Sequence, residues 1–184
     1  MVRLSKGSVL VVIDVQEAWS DERMGHRNNE KAEKRIGALI KIFRERRMGL
    51  IHVRHHSLDQ NSPFNPGKKS FEFKKEAKPL EGEVVITKRV NSAFIGTDLE
   101  KRLREMGCSQ VFYVGLTTDH CVSTTARMSV NLGFRSYVID DACATFDRRY
   151  TSGRMIPAEE VHRVNLASIN GEFADVINSG EIEL

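Results

Sequence analysis

Six consecutive apolar-dominated residues, Ser8 to Ile13 (SVLVVI), constrain this chain more than any other stretch. A half-exposed strand alternates apolar and polar residues; a continuous run of strand length suits a strand covered on both faces. Four further short runs follow at Leu50–Val53, Val84–Thr87, Val111–Gly115 and Ser136–Ile139, with a short last strand at Ala174–Ile177. Between them lie segments of helical period. Ala32, Ile36, Leu39, Ile40 and Phe43 recur on one face, with Asn28 and Asn29 as N-cap candidates and Gly49 as the stop. Thr97 caps a helix carrying Leu99, Leu103 and Met106, and Gly107 ends it. His120–Leu132 reads as a third helix. Pro157 opens a fourth carrying Val161, Val164 and Ala167. Strands alternating with helices mean βαβ units: an α/β class, three-layer α/β/α, with a mostly parallel sheet of five or six strands. Length (184 residues) and the absence of a linker suggest one domain, 1–184.

Charge excludes little. The balance is 28 − 25 = +3, and acids interrupt the scattered basic clusters, which argues against a nucleic-acid partner. No window approaches a membrane span, and the basic start followed by a short apolar run reads as a strand, not a signal peptide. Three cysteines, Cys108, Cys121 and Cys143, suggest free thiols in a reducing, cytoplasmic setting.

In open parallel sheets, ligands bind beyond the carboxyl ends of the strands. Those ends carry Asp14 and Gln16, then Arg54, His55 and His56, then Lys88 and Arg89, then Thr117 to Cys121, then Asp140 and Asp141. Cys121 sits in the turn into a helix, where the positive end of the helix dipole favours the thiolate. It reads equally as a small buried hydrophobe. Asp14 is either a turn residue or a base for the thiol; Lys88 is either a solvated strand end or the stabiliser of both anions. His52 reads as packed, and His120 as a first-turn residue. His55 and His56 diverge on extended chain, so no metal site is expected, and no G-x-G-x-x-G or Walker-type loop calls for a cofactor.

Val9–Gln16 (VLVVIDVQ), Thr87–Gly96 (TKRVNSAFIG), Val114–Ala126 (VGLTTDHCVSTTA), Leu132–Phe134 and Val138–Ala142 resemble the isochorismatase-like cysteine hydrolases, in order, over roughly residues 8–176. That superfamily includes nicotinamidases, N-carbamoylsarcosine amidases, ureido-type amidohydrolases and true isochorismatases. The resemblance implies a sheet of order 3-2-1-4-5-6, catalytic Asp14, Lys88 and Cys121, and a cis peptide between Leu116 and Thr117. It places an oxyanion hole on the N–H groups of Thr117 and Cys121. It also implies a small-molecule substrate in a pocket walled by Gln16, His55, Trp19, Phe94 and Phe146, although Phe94 reads as well as core. A homo-oligomer, dimer or tetramer, is implied too. Some vinyl-ether-cleaving members lack the cysteine, so Cys121 points to amide or ureido hydrolysis. The Asp-x-His metal motif of nicotinamidases is replaced here by Arg54-His55-His56-Ser57. A catalytically idle binding or thiol-redox protein is the alternative of another class.

Overall fold

The computed structural model describes residues 1–183; Leu184, the end of the expected 1–184 domain, lies outside them. Its centre is a parallel sheet of β1 (Ser8–Ile13), β2 (Gly49–His55), β3 (Val84–Lys88), β4 (Gln110–Leu116), β5 (Ser136–Ala144) and β6 (Asp175–Ile177). The strand order is β3-β2-β1-β4-β5-β6. All six residues of β1 are buried, as a two-faced apolar run requires.

Alternation along β1 divides the core. Leu10 and Val12 join Ile36, Ile40 and Phe43 of α1 (Ala32–Glu45) on one face. Val9, Val11 and Ile13 face α2 (Leu99–Glu105), α3 (Ser123–Asn131) and α4 (Ala158–Ile169) on the other, through Leu99, Leu103, Val122, Ala126, Leu166 and Ile169. Three layers result. Among the described residues no helix is long and apolar enough to cross a membrane.

Several local expectations shift. Lys31, not an asparagine, precedes α1. Asn29 adopts a left-handed φ of 46° and donates to the Cys143 carbonyl, while the Asn28 side chain accepts from the Thr145 N–H. Both asparagines are spent tying two loops together. Arg47 makes the left-handed exit from α1 at φ 52°, and Gly49 opens β2 instead. Met106 is partly exposed beyond α2. The third helix begins with one π turn, Thr118–Val122, before α3. On α4, Val161 is buried but Val164 is 61% exposed and Ala167 also faces out; His162, Leu166 and Ile169 fill the inner face.

One glycine shapes the site. Gly115 has φ 128°, and a Cβ there would collide with the carbonyl oxygen of Ile13. That close approach of β4 to the end of β1 coincides with a register shift against β5. It places the turn after β4 next to Asp14.

Candidate active site

Two loop pairings roof the end of β1. Residues 15–17 run beside 72–74, with Glu17 N–H on the Glu72 carbonyl and Lys74 N–H on the Val15 carbonyl. Residues 26–28 run beside 145–147 through Asn28 N–H to Thr145 and Asp147 N–H to His26. Beneath them Asp14 and Lys88 are sealed and Cys121 is 7% exposed.

Asp14 holds a left-handed φ of 51°, an uncommon conformation for a residue with a side chain. Three bonds fix it: its N–H donates to Val53, and its carbonyl accepts from Gln16 N–H and, at 2.6 Å, from Trp19 Nε1. Strain imposed by its surroundings in this way is typical of functional positions. The Lys88 ammonium lies 2.6 Å from Asp14 Oδ2, both side chains wholly buried. Lys88 Nζ also donates to Cys121 Sγ at 3.3 Å. Lys88 thus spans the gap left by its strand's lying two places from β1, passing His55, its register neighbour on β2.

The electrostatics correct one expectation. Burial, and then the Asp14 charge, push the Cys121 thiol well above the usual cysteine range; Lys88 opposes this only in part. Burial therefore favours the thiol over the thiolate, against what a helix N-terminus alone suggests. Burial works against the charge on Lys88, but Asp14 and then Cys121 outweigh it and hold the ammonium above its ordinary value. His55 Nδ1 is 3.4 Å from Lys88 Nζ, and burial followed by the Lys88 charge lowers its pKa. A neutral ring accepting at Nδ1 carries its proton on Nε2.

The expected pocket residues separate into two groups. Trp19 packs edge-on against Phe64 at 4.7 Å and stacks on Phe146 at 5.6 Å, and Phe64 meets the His55 ring at 5.6 Å. Trp19, Phe64, Phe146 and His55 thus form one aromatic wall beside Asp14. Gln16 does not offer a free group to a ligand. Its Nε2 donates to the Phe71 and His55 carbonyls, and its Oε1 accepts from His55 N–H, so the amide clamps the roof. Phe94 lies in the same buried cluster as Cys121 and stacks on Phe134, on the core side.

The Leu116–Thr117 peptide is cis, and the Thr117 carbonyl accepts from the His120 and Val122 N–H groups. The turn is braced from outside by residues that sequence reasoning missed. Arg148 donates to both Asp119 oxygens and to Thr117 Oγ1, and Thr145 donates to Asp119. Burial raises the Asp119 carboxyl, but the Arg148 and Thr145 bonds prevail and hold it low. Phe64 sits in a polar loop and Arg148 in a two-residue strand paired with Met155–Ile156, with no periodicity to mark either. Among the described residues no three His, Cys, Asp or Glu side chains converge as metal ligands.

Residues 8–181 match the Isochorismatase domain family model. The chain belongs to the isochorismatase family. The isochorismatase family protein YrdC of Bacillus subtilis is 41% identical over 179 residues, covering 97% of this chain and 96% of its own. A structure from Chromobacterium violaceum, described as a hydrolase of the isochorismatase family, superposes with TM-score 0.94 at 40% identity. It covers 98% of this chain and 93% of its own. N-carbamoylsarcosine amidase of Thermoplasma acidophilum superposes with TM-score 0.77 at 25% identity, over 96% of this chain and 99% of its own. This isochorismatase-family hydrolase therefore carries the family's α/β sheet, with Asp14, Lys88 and Cys121 gathered at its carboxyl edge.

Proposed function

We propose that this chain is a cysteine hydrolase cleaving a C–N bond of a small amide or ureido compound through an acyl-thioester on Cys121. One observation carries the reading: a buried ammonium lies 2.6 Å from a carboxylate and 3.3 Å from a thiol. Asp14 takes the thiol proton as sulfur attacks the carbonyl carbon. Because burial favours the thiol, deprotonation and attack are coupled, with Lys88 neutralising the charge that moves from carboxylate to sulfur. The N–H groups of Thr117 and Cys121 hold the oxyanion. The C–N bond breaks and the amine leaves with the proton returned by Asp14. Water, deprotonated by Asp14, adds to the thioester; the C–S bond breaks, the sulfur takes that proton back from Asp14, and the acid departs. The wall of Trp19, Phe64 and Phe146 suits a flat acyl group, and His55 Nε2–H suits an acceptor on it.

Vinyl ether cleavage needs protonation and no thiol, which leaves Cys121 without a purpose. A peroxide-reactive thiol needs a standing thiolate, which the burial of Cys121 opposes. A panel of small amides and ureido compounds, assayed for ammonia release, tests the proposal. Turnover by the wild type and none by Cys121→Ala is the expected result. Vinyl ether cleavage that survives Cys121→Ala would overturn it.

A further inference from the structure

Thr118 lies between the two proposed oxyanion donors, Thr117 and Cys121, and is wholly buried. Its hydroxyl is engaged away from the reaction centre. Thr118 Oγ1 is 2.8 Å from His162 Nδ1 on α4, and His162 Nε2 is 2.7 Å from Asp140 Oδ1 on β5. A carboxylate can only accept, so Nε2 carries the ring proton and donates to Asp140. Nδ1 of the same ring pairs with the Thr118 hydroxyl. The two hydrogen bonds link Thr118 through His162 to Asp140.

The order resembles that of a hydroxyl nucleophile with its base and orienting acid. Thr118 has no exposed surface for a substrate to reach, so that role is closed to it. Packing does not require the histidine either. Val161, Leu166 and Ile169 already bury the inner face of α4, and an apolar side chain would fill position 162 without desolvating an imidazole. What the imidazole adds is a fixed direction for the Thr118 side chain, and with it a fixed backbone between Thr117 and Cys121.

We propose that His162 is a positioning residue: through Thr118 it sets the turn whose N–H groups hold the oxyanion. This rests on the cysteine hydrolase reading above. Arg148 holds the same turn from its other flank, through Asp119 and Thr117 Oγ1.

Two isosteric variants separate the halves of the chain of bonds. His162→Asn places an amide oxygen near the Nδ1 position and keeps an acceptor for Thr118 while giving up Asp140. His162→Gln reaches the Nε2 position, keeps Asp140 and gives up Thr118. Leu166→Ala is the control, since it loosens α4 and leaves both hydrogen bonds of His162 in place. Two readouts are used: kcat and KM on the best substrate of the panel, and affinity for a small aldehyde. The Cys121 sulfur bonds to the aldehyde carbon and the thiol proton ends on its oxygen, so affinity reads the oxyanion hole without turnover. His162→Gln is expected to lower kcat about tenfold or more with KM within about twofold, as a small misplacement of reacting groups does. Aldehyde affinity should fall in parallel, and His162→Asn should recover most of both. Leu166→Ala should lower Tm and leave kcat unchanged. Wild-type kcat in His162→Gln, or kcat that tracks Tm across all three variants, would make His162 a packing residue and overturn the inference alone. A wild type that neither turns over the panel nor binds the aldehyde would overturn the hydrolase reading, and the inference with it.

Discussion

Replacing Lys88 by methionine removes one charge while keeping the length of an unbranched side chain. At 2.6 Å and an effective dielectric of about 20, its attraction to Asp14 is roughly 6 kcal/mol before desolvation is subtracted. The Coulomb term does not translate directly into rate. Proton transfer exchanges a carboxylate–ammonium pair for a thiolate–ammonium pair, so Lys88 stabilises both ends of that step. Its larger effect is on the resting state. Without it, the sealed Asp14 carboxylate has no counter-ion, and the site loses the cation that holds base and sulfur in one place. The uncompensated negative charge of the attacking sulfur and the misplacement of base and thiol together cost about 100-fold. Lys88→Met is therefore expected to lower kcat/KM about 100-fold at pH 7. Steady-state rates read this directly. Activity within about threefold of wild type would refute the reasoning. Asp14→Asn/Lys88→Met should recover stability by removing the lone charge, but no activity.

The layers were legible because burial on two faces leaves a signature that local propensity cannot blur. Val9 to Ile13 read as core from their unbroken run, and α1 from the spacing of Ile36, Ile40 and Phe43. Errors concentrated where a side chain serves a tertiary bond in place of its local one. Asn28 and Asn29 carry a capping signature, yet both are drawn off to the 143–145 segment, so α1 starts uncapped by them. Val164 fits the helical period but falls just outside the arc that α4 presents to the sheet, a matter of a fraction of a turn.

Strand ends made Asp14, Lys88 and Cys121 visible, since topology alone takes them to one edge of the sheet. Their ionisation was not visible. The helix dipole argues for a thiolate, but burial and the proximity of Asp14 decide, and neither can be read from spacing. The same limit applies to Gln16. Its position two residues past Asp14 suggests a pocket, whereas its partners are backbone groups at positions 55 and 71, remote in sequence. Phe64, Arg148 and His162 reach the site from segments whose sequence gives no reason to look there.

Cys121→Ser should stay folded and lose turnover, and a slow substrate should leave its acyl mass on the Cys121 peptide of the wild type; acyl mass on Cys108 or Cys143 would sink the assignment. Dialysis against a strong chelator should leave activity unchanged, because His55 Nδ1 is engaged with the Lys88 ammonium and is not free to ligate a cation; loss restored by zinc, manganese or iron would show the opposite. Sedimentation should show a dimer or larger at micromolar concentration, and a monomer would count against the self-association that the family resemblance implies. The last expectation concerns the roof. Glu33 on α1 pairs with Arg27 at 2.5 Å and Lys74 at 3.0 Å, joining the two loops that cover Asp14. Burial opposes its charge, but the Arg27 and Lys74 bonds pull its carboxyl down to about 2 from 4.5. A carboxyl lowered on folding stabilises the native state fully above its unfolded value and loses that contribution as pH falls through its folded one. Discounted for solvent screening, the contribution is about 2 kcal/mol, or roughly 4–8 °C in Tm. Glu33→Gln should therefore melt lower than wild type at pH 7, with the gap closing between pH 4.5 and about 2. A gap that persists unchanged through that window would mean that Glu33 acts by packing and not by charge.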